Sequence, residues 1–187
     1  MVNPSLPDRR GRLPRLKVVL GLVALLVCVL ALFSCRSVDW FLLKRTLRSK
    51  FHDIQWITTQ QLADWLADGQ RPAPVLLDVR TPAEWNVSHL ANARRVDPQA
   101  TAQEAAGGLA KDAPIVAYCS VGYRSGEMAQ RLRAAGFSHV QDLEGSIFEW
   151  ANEGRPLVHE GKPANKVHPY NASWGKLLQD DVRAPLP

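Results

Sequence analysis

One cysteine stands where a nucleophile could work. Cys119 ends an apolar segment, residues 113–119, and is followed by a short loop that runs into a helical pattern ending at Gly136. Three roles are open to its thiol: catalyst, packed core side chain, or half of a disulfide. The other cysteines, Cys28 and Cys35, lie within or at the edge of a long apolar run and are poor disulfide partners for a folded domain. Free cysteine is among the most buried residue types, so core packing is the alternative to catalysis.

The residues after the cysteine favour a stabilised thiolate. Gly122 allows a tight turn, Arg124 supplies a permanent cation, and Ser125 is placed to cap the helix that starts there. The N–H groups of a loop entering a helix converge on a concavity that favours negative charge. A helix N-terminus contributes only about 0.3 to 1 kcal/mol, less than about one pKa unit, so the loop amides and Arg124 must supply the rest.

The elements that would position Cys119 alternate between strand and helix. Short apolar strands are predicted at residues 54–58, 74–79, 113–119 and 139–143, and helical patterns follow three of them. This alternation predicts an α/β fold with a mostly parallel sheet flanked by helices. Ligands in such folds gather at the carboxyl ends of the strands, where both Cys119 and Asp78 lie.

Charge divides the chain in two. Residues 1–50 carry ten Lys and Arg against two acidic residues, whereas residues 51–187 carry 13 against 16. The folded part is therefore not basic, which argues against nucleic acid as a partner. A basic leader, residues 1–17, precedes 18 uncharged residues at 18–35. As a helix that run is about 27 Å long, so it predicts one N-terminal transmembrane or anchor helix, with the membrane as a partner.

Two features of this anchor stay open. Cys35 ends a segment that resembles a bacterial lipoprotein box, so either the anchor is retained or Cys35 is lipidated after cleavage. Basic residues flank the span on both sides; the favoured arrangement has a cytoplasmic N-terminus and a periplasmic or extracytoplasmic domain, with the cytoplasmic face as the alternative. Residues 36–53 are predicted to form a helical juxtamembrane linker, either a membrane-surface helix or a spacer.

Three motifs carry a resemblance to the rhodanese family. They are "LLDVRTPAEWNVSHLANA" at 76–93, the Cys-x-x-Gly-x-Arg loop "YCSVGYRS" at 118–125, and "LRAAGFSHVQDLEGSIFEWANEGRPL" at 132–157. They occur in the family's order and spacing and imply a single rhodanese-like domain over residues 54–158. The tail "VHPYNASWG", within a C-terminal extension at 159–187, extends the resemblance to membrane-anchored single-domain members.

The resemblance implies a sulfurtransferase. Cys119 would take sulfur from thiosulfate or a persulfide, become a persulfide and pass the sulfur to a nucleophilic acceptor. The implied partners are a small anionic donor and a thiophilic acceptor, either a small molecule or a protein thiol, with no cofactor and no metal. The residues assigned to substrate binding are Ser120, Val121, Gly122, Tyr123, Arg124 and Ser125. Supporting roles fall to Asp78, Arg80 and Glu84, for which a structural ion-pair and capping cluster is the favoured alternative.

Two other functions compete with this one. Cysteine-dependent phosphatases place five residues between Cys and Arg, whereas this chain has four, so phosphatase activity is not expected. A non-enzymatic protein-binding or sulfur-carrier module is the alternative, but inactive members commonly lack the cysteine that this chain keeps.

The chain departs from the family at Asn92, where glycine is usual. Because Asn tolerates a positive φ, we expect the turn to survive. His89 is expected to be structural.

Overall fold

The computed structural model describes the backbone of residues 13–186, and within the first helix it describes side chains only at 18–23 and 37–50. That helix, α1, is Leu13–Lys50. No helix among the described residues has the length and apolar character needed to cross a membrane. The predicted leader and residues 24–35 of the predicted span lie outside the described side chains, so the anchor stays a prediction.

The chain divides into two compact units, residues 1–39 and 40–187. In the first unit, the apolar side chains described at 18–20, 22 and 23 are all more than half exposed. The second unit contains the end of α1 and every other helix and strand described below.

A five-stranded parallel sheet forms the centre of the second unit, in the order β1-β5-β4-β2-β3. Its strands are β1 (Gln55–Ile57), β2 (Val75–Asp78), β3 (Arg94–Arg95), β4 (Ile115–Tyr118) and β5 (Val140–Leu143). The predicted α/β fold with a mostly parallel sheet is confirmed. The two-residue edge strand β3 was not predicted, because so short a segment leaves no periodic pattern in the sequence.

Five helices follow the strands, and three of them begin with the same local signal. The helices are α2 (Thr59–Ala67), α3 (Pro82–Trp85), α4 (Ala102–Ala106), α5 (Tyr123–Ala134) and α6 (Ser146–Asn152). Thr58, Thr81 and Thr101 each accept a hydrogen bond from the N–H three residues on, and the side chain at that third position accepts from the threonine N–H in return. This reciprocal capping box satisfies amides that would otherwise lack partners at the helix start.

Apolar side chains cover both faces of the sheet. Leu76 and Leu77 are neighbours on β2 and are both buried, but they belong to opposite layers of the core, as the alternation of a strand requires. Phe51, in the turn after α1, is fully buried in the layer that contains α5. Residues assigned to the linker therefore contribute to the core.

The C-terminal extension folds back onto the sheet domain. An antiparallel hairpin, β6 (Leu157–His159) and β7 (Lys162–Ala164), connects the domain to the extension, and a 3₁₀ helix, Trp174–Leu177, follows. Val167 and Leu178 are fully buried within it.

At Asn92 the backbone has a φ of 59°, so the expected positive φ is confirmed.

Candidate active site

Cys119 follows the last residue of β4, and the first turn of α6 fixes its backbone. The Cys119 N–H donates to Ser146 Oγ at 3.1 Å. In return, the amides of Ile147 and Phe148 donate to the carbonyls of Cys119 and Ser120 at 3.2 and 3.1 Å. The loop start is therefore held from both sides, which gives the thiol a defined position at the carboxyl edge of the sheet.

The thiol is 1% exposed and accepts a hydrogen bond from the Gly122 N–H at 3.2 Å. Gly122 has a φ of 110°, a backbone conformation that residues other than glycine rarely adopt. This conformation lets the chain turn back over the sulfur. Burial raises the pKa of the Cys119 thiol. The Arg124 charge, the Ser125 hydroxyl and the amides of Ser125 and Gly122 outweigh burial, so the thiol pKa lies below its ordinary value.

Arg124 reaches Glu84 on α3, 40 residues earlier in the chain, in a two-pronged ion pair. Its Nη1 donates to Oε2 at 2.8 Å and its Nη2 to Oε1 at 2.7 Å. The Ser120 hydroxyl donates to the same Oε1 at 2.6 Å and accepts from Arg124 Nη2 at 2.9 Å. This arrangement fixes the guanidinium beside the thiol loop and commits much of its hydrogen-bonding capacity within the protein.

Glu84 is 1% exposed. Burial alone would raise the pKa of its carboxyl, but hydrogen bonds and charge from Arg124, with further hydrogen bonds from Ser120 and Thr81, lower it from 4.5 to about 2. Glu84 is at the same time the acidic partner of the Thr81 capping box. The start of α3 therefore presents a permanent negative charge to Arg124.

Asp78 and Arg80 form a second, fully buried ion pair. Arg80 Nη2 and Nε donate to the two Asp78 oxygens at 2.6 and 2.8 Å, and Nη2 also donates to the Ser88 carbonyl at 2.7 Å. These contacts tie the loop after β2 to the chain around Ser88. They act within the scaffold, as the structural alternative for Asp78 and Arg80 expects, and neither side chain lines the cavity beside Cys119.

Ser125 lies in the first turn of α5, and its predicted capping role is wrong. Gly122 occupies the N-cap position and no described side chain caps the helix, because the helix begins three residues earlier than a Ser125 cap requires. The Ser125 hydroxyl is buried and has no hydrogen-bond partner of ordinary geometry among the described residues. It nevertheless lies near two ionisable groups: it lowers the pKa of Cys119 and counteracts the rise in the pKa of Asp142.

Asp142 was not predicted as a site residue. It is fully buried on β5, paired in register with Ala117 of β4, and neither carboxyl oxygen has a partner of ordinary geometry among the described residues. Burial first, and then the charge of Cys119, raise the pKa of Asp142 well above its ordinary value. A carboxylic acid inside a segment predicted to be a strand of a mostly buried parallel sheet was a signal available in the sequence.

A cavity of about 140 Å³ opens at the thiol. The predicted residues Cys119, Ser120, Val121, Tyr123 and Arg124 line it. Two unpredicted residues of the C-terminal extension, Tyr170 and Trp174, complete the lining. No local pattern connects them with Cys119, since about 50 residues of chain separate them.

Larger hollows of about 410 and 470 Å³ lie near Trp65 and Arg95 and contain none of the predicted site residues. Within the described part of the chain, no three His, Cys, Asp or Glu side chains are grouped as a metal ion would require. His89 stacks on Trp85 with ring centroids 3.5 Å apart, and its backbone pairs with Val158. Both contacts belong to the packing of the fold, so the surroundings of His89 are structural.

Comparisons with known proteins find relatives of the sheet domain. The family model described as "Rhodanese-like domain" matches residues 58–153. A sulfurtransferase of Allochromatium vinosum is 32% identical over 102 residues, which cover 54% of this chain and 92% of that protein. The solution structure of the rhodanese-like domain of the Anabaena protein Alr3790 has 28% identity and a TM-score of 0.52, and it covers 63% of this chain and 89% of that one.

A larger relative shares the same region. The probable adenylyltransferase/sulfurtransferase MoeZ of Mycobacterium tuberculosis is 37% identical over 101 residues, which are 54% of this chain. The chain spans only 25% of the length of MoeZ, so the similarity is confined to one part of that protein.

Proposed function

The chain belongs to the rhodanese-like domain family, and from that premise we propose that it is a sulfurtransferase that carries sulfane sulfur on Cys119. The donor is thiosulfate or a persulfide, and the acceptor is a thiophilic nucleophile. One observation carries the proposal: the Gly122 N–H donates to Cys119 Sγ at 3.2 Å, in a site that holds the pKa of a buried thiol below its ordinary value. The thiolate is the nucleophilic form of cysteine.

The reaction has two steps. In the first, the Cys119 thiolate attacks the outer sulfur of thiosulfate; a new S–S bond forms, the old one breaks, and sulfite leaves with its electron pair. In the second, an acceptor such as cyanide attacks the outer sulfur of the Cys119 persulfide, which yields thiocyanate and restores the thiolate. The amides that face the sulfur stabilise negative charge in both states, and the Glu84 ion pair keeps Arg124 beside it.

Intact mass spectrometry of the full-length protein tests this proposal. After treatment with thiosulfate, or with cysteine persulfide as donor, the wild type is expected to gain one sulfur atom that cyanide removes. Cys119→Ala is expected to gain none. A folded wild type that takes up no sulfur from either donor, or an equal gain in the variant, would contradict the proposal. The alternative of a protein-binding module would then gain support.

We extend the proposal to the N-terminal region: residues 18–35 anchor the protein in a membrane, with the domain on the extracytoplasmic side. Support comes from the uncharged run itself, from basic residues on both sides of it, and from the exposed apolar side chains at 18–23. Protease treatment of intact cells and of inverted vesicles tests the topology. The domain is expected to be cleaved in intact cells whose outer barrier is opened. Cleavage only in inverted vesicles would instead place the domain on the cytoplasmic face.

A further inference from the structure

The chain beyond the hairpin is held firmly to the domain. Val167 exchanges backbone hydrogen bonds with the chain near Arg183: its N–H donates to the Val182 carbonyl at 2.8 Å, and its carbonyl accepts from Ala184 at 2.9 Å. Ser88 Oγ donates to the Lys166 carbonyl at 2.6 Å. These contacts make the segment part of the folded unit and fix the course of its backbone.

Local hydrogen bonds fix the backbone at Tyr170 and Trp174. The Tyr170 N–H donates to His168 Nδ1 at 3.0 Å, and the Tyr170 backbone has a φ of 63°. The Trp174 N–H donates to Asn171 Oδ1 at 3.0 Å. Gly175 follows in a place where a Cβ would lie 2.8 Å from Pro169, so the turn that carries both rings is tightly packed. The two rings form what we call the aromatic wall of the Cys119 cavity.

The charge of this cavity is already balanced. Of the described residues that line it, Arg124 alone is charged, and both of its terminal nitrogens bond to Glu84. The Tyr170 ring lies 5.0 Å from the Arg124 guanidinium carbon, so an aromatic face covers part of the cation. A Cys119 thiolate adds a negative charge. A dianion entering this space meets that negative charge and a cation that is already paired with Glu84.

The cavity has room for an apolar group. Its volume is about 140 Å³, and apolar cavities of about 150 Å³ hold a benzene molecule. Val121, Tyr123 and the aromatic wall supply apolar surface around the thiol. Burial of a ring or an alkyl group against them is favourable, because it removes apolar area from water.

We propose that the aromatic wall, Tyr170 and Trp174, selects organic thiols and persulfides with an uncharged, apolar body over inorganic dianions such as thiosulfate. The proposal rests on the proposed function and narrows its substrate class. In the donor step the Cys119 thiolate attacks the outer sulfur of R–S–SH, the S–S bond breaks, and R–S⁻ leaves with the electron pair. In the acceptor step a second thiolate attacks the Cys119 persulfide, takes its outer sulfur and releases the Cys119 thiolate; no outside oxidant or reductant is needed.

Alkylation of Cys119 in the full-length protein tests the wall without requiring sulfur transfer. Iodoacetamide, iodoacetate and N-benzyl iodoacetamide are compared at the Cys119 peptide, each rate divided by that of free cysteine. The wild type is expected to favour the benzyl reagent over iodoacetamide by about tenfold, as burial of one ring against an aromatic surface implies, and to disfavour iodoacetate. Trp174→Ala and Tyr170→Ala are expected to lose most of the benzyl preference.

Leu186→Ala is the matched control, because it shortens an exposed apolar side chain of the same extension that does not line the cavity. It is expected to keep the wild-type preference. An iodoacetamide rate equal to that of the wild type shows that the thiol loop of a variant is still folded. A wild type with no benzyl preference, or a preference that survives the double variant Tyr170→Ala, Trp174→Ala, overturns the inference.

Discharge of the Cys119 persulfide separates this inference from the proposed function. Benzyl mercaptan is expected to remove the sulfur faster than 2-mercaptoethanol in the wild type and to lose most of that advantage in Trp174→Ala, whereas cyanide discharge stays equal in the wild type and Leu186→Ala. A benzyl preference in alkylation without any persulfide formation supports the wall and defeats the sulfurtransferase proposal. Persulfide formation with no benzyl preference in either assay supports sulfur transfer and defeats the wall.

Discussion

Replacing Glu84 by Gln removes the one carboxylate that Arg124, Ser120 and Thr81 share. The pKa of Glu84 is lowered from 4.5 to about 2 in the folded protein. A difference of about 2.5 units, at about 1.4 kcal/mol per unit, corresponds to about 3 kcal/mol of stability in the ionised state. Because Glu84 is 1% exposed, solvent does little to weaken this contribution. We therefore expect Glu84→Gln to lower the free energy of unfolding at neutral pH by about 3 kcal/mol.

The pH dependence gives this prediction its sign. A carboxyl whose pKa is lower in the folded state stabilises the protein fully above its unfolded value, here 4.5, and loses that contribution as the pH falls towards about 2. The wild type and Glu84→Gln should therefore differ most at neutral pH, and their stabilities should converge in acid. Urea denaturation between about pH 3 and pH 8 measures both curves.

Glu104→Gln is the matched control. Glu104 occupies the same place in the Thr101 capping box and accepts the same hydrogen bonds from the threonine N–H and hydroxyl. It is exposed and has no guanidinium partner among its described contacts. We expect little change in stability from this variant. Equal losses in the two variants, or a Glu84→Gln deficit that stays constant down to acid pH, would refute the reasoning, because the capping box alone would then explain the effect.

Three further outcomes are expected. Asp142→Asn should raise the free energy of unfolding at pH 7 by about 1 to 3 kcal/mol, with no gain below about pH 4. A carboxyl whose pKa is raised on folding makes the protein less stable as the pH rises, and Asn removes that effect. A lower free energy of unfolding at pH 7 in urea denaturation would contradict this. Arg124→Lys should slow persulfide formation by about tenfold or more and raise the pKa of the Cys119 thiol, since lysine cannot reproduce the two-pronged bond to Glu84. A pH profile of iodoacetamide alkylation measures that pKa, and an unshifted profile would argue against the prediction. Gly126→Ala should cost about 1 to 3 kcal/mol in thermal denaturation, because its Cβ would lie 2.6 Å from the buried Phe51 ring; unchanged stability would mean that Phe51 can move.

Much of the thiol loop could be predicted from the sequence. The Cys119–Gly122 contact joins residues three positions apart, and Gly122 does adopt the positive φ that glycine allows. The strands around the loop were also recognisable, because buried parallel strands are short apolar runs with clear ends. The error at Ser125 has a simple cause: residue type suggests a cap, but the backbone of Gly122 decides where α5 begins.

Other features were absent from any local pattern. Asp142 reaches the site through the parallel pairing of β5 with β4, and the register Ala117 to Asp142 is set by packing of the whole sheet. Phe51 was assigned to the linker, yet it fills the space that Gly126 leaves in α5. A pattern of apolar residues shows that a side chain will be buried, but it does not show which partner it will meet.

The sequence by itself determined the fold class, the family and the loop that surrounds Cys119. These depend on spacings of a few residues, which backbone geometry converts directly into turns, caps and helix starts. Only the tertiary structure decided that Glu84 holds Arg124, that the buried Asp142 lies near the thiol, and that Tyr170 and Trp174 close the cavity. Those contacts join residues tens of positions apart, and their geometry follows from how the sheet, its helices and the C-terminal extension pack together.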